Sequence, residues 1–150
     1  MELRNCGTLE PKNDNMTSTV TYLGELRTTA THLASSTSII TDAPVDNHGK
    51  GEAFSPTDLV ATALANCALT VMGIGARERG IDMDGAQASI TKHMVANPRR
   101  ISKIEMTITF PEGKTYDDKQ KQILEQIGYN CPVAKSLHPD IEQAITFIWP

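Results

Sequence analysis

Hydrophobic and polar positions alternate with a period of two along several stretches of the chain, and they merge into one long apolar run before its midpoint. The β-branched pattern predicts a strand over 17–23, a turn at Gly24-Glu25 and a second strand over about 26–33. A further short strand is expected around 38–41, and residues 42–51, dense in Asp, Asn, Pro and Gly, predict a loop. Ser55 can then cap a helix. Pro56 suits the first helical position, and Asp58 stands three residues after the cap in a variant of the capping box. The apolar run continues to Ala76, with Arg77 and Arg79 near the end and Gly80 as the stop. A helix of about 24 residues would be about 36 Å long. Apolar side chains occur on every face of it, which predicts burial almost all round. One short chain covers such a helix poorly, so a second subunit is expected to complete the cover.

Beyond Gly80 the period of two returns. Strands are predicted over 87–95 and 101–110, the second alternating Ile104, Met106, Ile108 and Phe110, with Asn97-Pro98-Arg99-Arg100 as the turn between them. Residues 116–127 predict an amphipathic helix with Ile123, Leu124 and Ile127 inward. Cys131-Pro132 opens a short helix reaching Leu137, and 143–149 reads as a last strand. Strands in blocks around a few helices argue for an α+β fold. The polar residues 1–16 are expected to be a flexible tail, with Met16 a candidate start, and 17–150 a single domain.

Composition narrows the function classes. Apolar residues make up 39% and charged residues 21% of 150, which suits a soluble protein with a real core. A net charge of -4 supplies no basic surface for nucleic acid, and no Lys/Arg run suggests an anionic membrane. The N-terminus has no apolar segment of the signal-peptide kind. Residues 59–76 carry no charge and match a membrane span in length. Thr62, Asn66 and Thr70, with five alanines and two glycines, favour the core helix of a soluble protein instead. Three cysteines are too few and too scattered for a secreted disulfide scaffold, which points to the cytoplasm. His32, His48, His93 and His138 show no metal-ligand spacing, and neither a hydrolase elbow, a P-loop nor a dinucleotide fingerprint occurs. No metal or cofactor is expected.

The cysteines are the candidate chemistry. Cys67 lies midway along the apolar helix, facing the same way as Ala63, Leu64, Thr70 and Val71. There it is either a small buried hydrophobe or a thiolate activated by a cation from elsewhere in the fold. Cys131 precedes Pro132, so it is either a structural cap or a thiol whose ionisation the helix terminus favours. Cys6 falls in the tail and is read as incidental.

Phe54-Ser55-Pro56-Thr57-Asp58-Leu59-Val60, Ala65-Asn66-Cys67 in a small-residue helix, and Cys131-Pro132-Val133 with Leu137 together resemble the OsmC/Ohr family, the osmotically inducible and organic hydroperoxide resistance proteins. The resemblance runs over about 17–149. It implies an OsmC/Ohr-like fold, a mostly antiparallel sheet wrapped around long central helices, in an intertwined homodimer with its sites at the subunit interface. It also implies that Cys67 attacks an organic hydroperoxide and becomes a sulfenic acid, and that Cys131 closes a disulfide with it. A dithiol reductant, of lipoyl type in many members, then restores the thiols. Ohr-type members carry a glutamate after the helix-initiating proline, paired with an arginine that stabilises the thiolate. Thr57 occupies that place here, with Asp58 next, Glu52 upstream and Arg27 the nearest candidate arginine, which marks a divergent branch. The rival readings are a non-catalytic stress protein holding a lipid-like ligand in an apolar interface cleft, and a thiol redox sensor. A binding cleft does not require a second cysteine in a Cys-Pro setting.

Overall fold

The computed structural model describes residues 15–150. Apart from Asn15 and Met16, the expected tail lies outside the described residues, and so does Cys6. The chain divides into two compact units, 15–54 and 55–150.

The first unit is an antiparallel sheet of β1 (Ser18–Gly24), β2 (Arg27–His32) and β3 (Ser38–Asp42), in that spatial order. Its strands are rich in Thr, Val and Ile, whose branched side chains fit a pleated surface. A two-residue turn joins β1 to β2, with Glu25 at φ 55° and Leu26 at φ 60°. Two successive positive φ values define the hairpin turn whose twist matches that of the strands. After β3 the predicted loop contains one short 3-10 turn, Val45–Asn47.

The second unit opens with α1 (Pro56–Glu78), followed by β4 (Gln87–Ala96), β5 (Arg99–Thr109), α2 (Asp118–Tyr129), α3 (Pro132–Ser136) and β6 (Glu142–Ile148). β4 and β5 form an antiparallel hairpin, and β6 adds to the free edge of β5 in parallel. The alternation along β5 places Ile104, Met106 and Ile108 at 0% exposure, with Phe110 at 2% just beyond. Against them lies the α1 stripe of Ala61, Leu64, Ala65, Ala68, Met72 and Ala76. Each large apolar side chain buried in this way contributes roughly 1.5–3 kcal/mol. α1 and α2 cross closely: a Cβ added at Gly75 would stand 2.4 Å from Ile127 Cδ1, so a larger residue there requires the tip of that side chain to shift.

One expectation is corrected. The amphipathic helix starts at Asp118, two residues later than the pattern suggested. Asp117 caps it, accepting from Gln120 N while the Gln120 side chain returns to Asp117 N. Tyr116 instead packs in the core beside Phe110 and Trp149, its hydroxyl donating to Asp82 O at 2.8 Å. Within the chain α1 is covered on one side, leaving Val60 39% and Ile74 55% exposed, in keeping with the expectation that one short chain covers this helix poorly. α1 is long and apolar enough to cross a membrane by length and composition, but here it packs on β4, β5, α2 and α3.

Candidate active site

The start of α1 is built from local sequence. Ser55 Oγ accepts from Asp58 N at 3.1 Å, and Asp58 Oδ2 accepts from Ser55 N at 2.8 Å, which closes the capping box. Pro56 occupies the first turn, where its missing N–H costs nothing. From this start the helix carries Cys67 into its middle, half-buried and packed against the core cluster.

Cys131 is 1% exposed and stands at the N-cap of α3. Its Sγ accepts from Ala134 N at 3.4 Å, the bond expected of a cap side chain. The fold brings α3 against α1, and the thiols of Cys67 and Cys131 are neighbours near enough for Cys67 to influence the ionisation of Cys131. Both are free thiols. The residues are 64 apart in sequence, so tertiary packing alone makes this meeting.

The ionisation of Cys131 runs against the expectation for a helix terminus. Burial pushes its thiol above the ordinary value, the Ala134 N–H partly offsets this, and the neighbouring Cys67 adds to the rise. A cap favours the thiolate, but removal from water costs more than one long N–H···S contact returns.

Asp58 does more than cap. Its Oδ1 receives Lys92 Nζ at 2.7 Å, and the same ammonium donates to Thr57 Oγ1 at 2.8 Å and to Ser55 Oγ at 3.3 Å. Burial works against the Asp58 charge, yet Lys92 and the Ser55 N–H prevail and hold its carboxyl below the ordinary value. Thr57, where the resemblance implies a glutamate, is engaged by a lysine of β4. Sequence reasoning missed Lys92. The signal was faint but present: Lys92 shares the inward phase of β4 with Ala88, Ile90 and Met94.

Arg27 and Glu52 come together in the first unit. Arg27 Nη2 donates to Glu52 Oε2 at 2.7 Å and to Asp42 Oδ2 at 3.0 Å. Asp42, which sequence reasoning did not single out, is 1% exposed, and its Oδ2 also accepts from Glu52 N at 3.1 Å. That backbone N–H and the guanidinium hold the Asp42 carboxyl below its usual range, and the two carboxylates raise Arg27. Arg27, Asp42 and Glu52 thus belong to the first unit, while Asp58, Cys67 and Cys131 belong to the second. Among the described residues no group of His, Cys, Asp or Glu is arranged to hold a metal ion.

The family model of OsmC-like proteins matches residues 49–145. A solved protein from Psychrobacter arcticus 273-4, named for osmotic stress induction and a detoxification response, is 56% identical. The match covers 88% of this chain and 95% of that one, with a TM-score of 0.84. An organic hydroperoxide resistance protein from Legionella pneumophila matches at 13% identity and TM-score 0.70, covering 89% of this chain and 98% of its own. Another of that name, from Elizabethkingia anophelis, matches at 15% and 0.68, covering 90% and 97%. At such identities these two show the shared α+β fold. No curated protein matches the chain.

Proposed function

This chain belongs to the OsmC-like protein family, and from that footing we propose that it is a thiol-dependent peroxidase for organic hydroperoxides. The observation that carries the reading is the meeting of two free thiols, one half-buried and one buried, from distant parts of the chain. Relatives of the same fold bear the name organic hydroperoxide resistance protein, which suggests the substrate class.

The chemistry follows from exposure. Cys67 is the thiol that a substrate can meet, since Cys131 is 1% exposed. The Cys67 thiolate attacks the outer peroxide oxygen. The O–O bond breaks, the alkoxide leaves and takes a proton as the alcohol, and Cys67 becomes a sulfenic acid. Cys131 then attacks the oxidised sulfur, an S–S bond forms and hydroxide leaves, protonated to water. A dithiol reductant of lipoyl type exchanges with the disulfide and restores both thiols. In this proposal the protein works as a cytoplasmic homodimer without metal or cofactor. Arg27 and Glu52, paired within the first unit, and Asp58, paired with Lys92 at the start of α1, are the candidate supporting groups.

One equivalent of an organic hydroperoxide should consume both thiols and give a Cys67–Cys131 disulfide within one chain, found by peptide mapping and reversed by a dithiol. Cys67→Ser should abolish turnover and keep the fold, because a hydroxyl is close in shape but a far weaker nucleophile. Unchanged thiols after peroxide would reject the enzyme and favour a protein that binds an apolar ligand beside buried cysteines.

A further inference from the structure

We infer that Gln143 is a positioning residue for Cys131: its side-chain amide fixes α3, and the thiol at its cap, to the sheet. The inference rests on the peroxidase reading and concerns its second step, disulfide closure.

α3 spans five residues, too short to persist on its own. Several of its hydrogen bonds are internal. Ala134 N donates to Cys131 Sγ, Lys135 N to Cys131 O, Leu137 N to Val133 O, and Ser136 Oγ to Pro132 O. These bonds give the segment its shape without fixing where it sits. Packing of Cys131 and Ala134 into the core sets its depth, but apolar contact is non-directional and tolerates sliding.

The amide of Gln143 supplies direction. Its Nε2 donates to Ala134 O at 3.0 Å, from nine residues away. That carbonyl belongs to the last turn of α3, where helix geometry leaves acceptors without an internal partner. Gln143 is itself anchored, since β6 pairs it with Ile104 of β5, which is 0% exposed. A path of three linked elements, β5, β6 and α3, therefore runs from the centre of the sheet to the Cys131 thiol. Disulfide closure needs the two Cα atoms within about 7 Å and a narrow torsion at the new bond. An error of about 1 Å in such a geometry costs up to about a hundredfold in rate.

The test uses the full chain. Gln143→Met keeps the side-chain length and removes the donor, while Gln143→Lys restores a donor at similar reach. In single-turnover reaction with cumene hydroperoxide, Gln143→Met should oxidise Cys67 within about twofold of the parent rate. It should close the disulfide about tenfold more slowly and divert more Cys67 to the sulfinic acid at a given peroxide concentration. Gln143→Lys should recover most of the closure rate. Parent-like closure in Gln143→Met overturns the inference. So does slowed closure accompanied by equally slowed Cys67 oxidation, which marks a general structural defect. A parent protein that forms no disulfide overturns the peroxidase reading as well, and the parent control reveals this before any variant is compared.

Discussion

At Cys131 one sulfur is a helix cap and a core side chain, and the proposed function makes it a redox partner as well. Burial raises its pKa, so the thiolate that must attack Cys67 is a minority species at neutral pH. The sign of the pH dependence follows. Below a raised thiol pKa the thiolate fraction grows about tenfold per pH unit, so disulfide closure should quicken about tenfold for each pH unit between about pH 6 and 8. Rapid quench and mass analysis would show it, and a flat profile would mean that the thiol is already ionised in the site. Cys131→Ser should keep the cap, because serine is among the preferred cap residues, and thus keep the fold. Its Cys67 should add about 16 Da and then, with excess peroxide, about 32 Da, as sulfenic and then sulfinic acid, after about one turnover. Loss of folding in this variant would show that the sulfur matters more for packing than for chemistry.

The elements owe their placement to signals of different range. The start of α1 was legible because Ser55, Pro56 and Asp58 carry a capping pattern within four residues, and the structure shows both bonds of the box. Ser55→Ala should therefore cost about 1–2 kcal/mol in urea unfolding. A change below about 0.3 kcal/mol would show that Lys92 and Pro56 hold the helix start without it. Acid should act on the same element. Asp58 has a folded pKa below its unfolded one, so its contribution is present above the ordinary carboxylate value near pH 4. It is lost as pH falls through the folded value. Other features were not legible in the sequence, for physical reasons. The Asp117–Gln120 box has the same local form, but an apolar pattern that already included Tyr116 masked it. Lys92 meets Asp58 from 34 residues away and Gln143 meets Ala134 across a loop, contacts that no period along the chain encodes. The pairing of β6 with β5 in parallel is likewise a property of the whole sheet. The two cysteines were found as residues, and their approach was implied by the family resemblance, whereas no pattern along the chain shows the packing of α3 on α1 that allows it.

For the whole molecule the remaining problem is apolar surface. On its open side α1 presents Val60 and Ile74, and beside its second half runs a groove of about 470 Å³ with apolar walls at Leu69, Ile74 and Met83 and polar ones at Arg77, Asp82 and Asp84. In the first unit, cross-strand register puts Val20, Ala30 and Ile39 on one face of the sheet, with Tyr22 beside them. Val20 and Tyr22 are each 65% exposed and Ile39 46%. Soluble monomers seldom leave apolar patches of this extent in water, and covering them with a second copy removes the penalty without any new partner. An obligate homodimer is therefore expected, with a light-scattering mass of twice the chain's 16.3 kDa. Ile74→Lys should break it, because a lysine cannot enter a packed apolar contact unpaired. If the dimer is obligate, the variant should lose cooperative folding together with its partner, since such subunits often have no stable folded monomer. A folded monomer of the parent chain at micromolar concentration would refute the dimer, and the exposed face of α1 would then need another occupant.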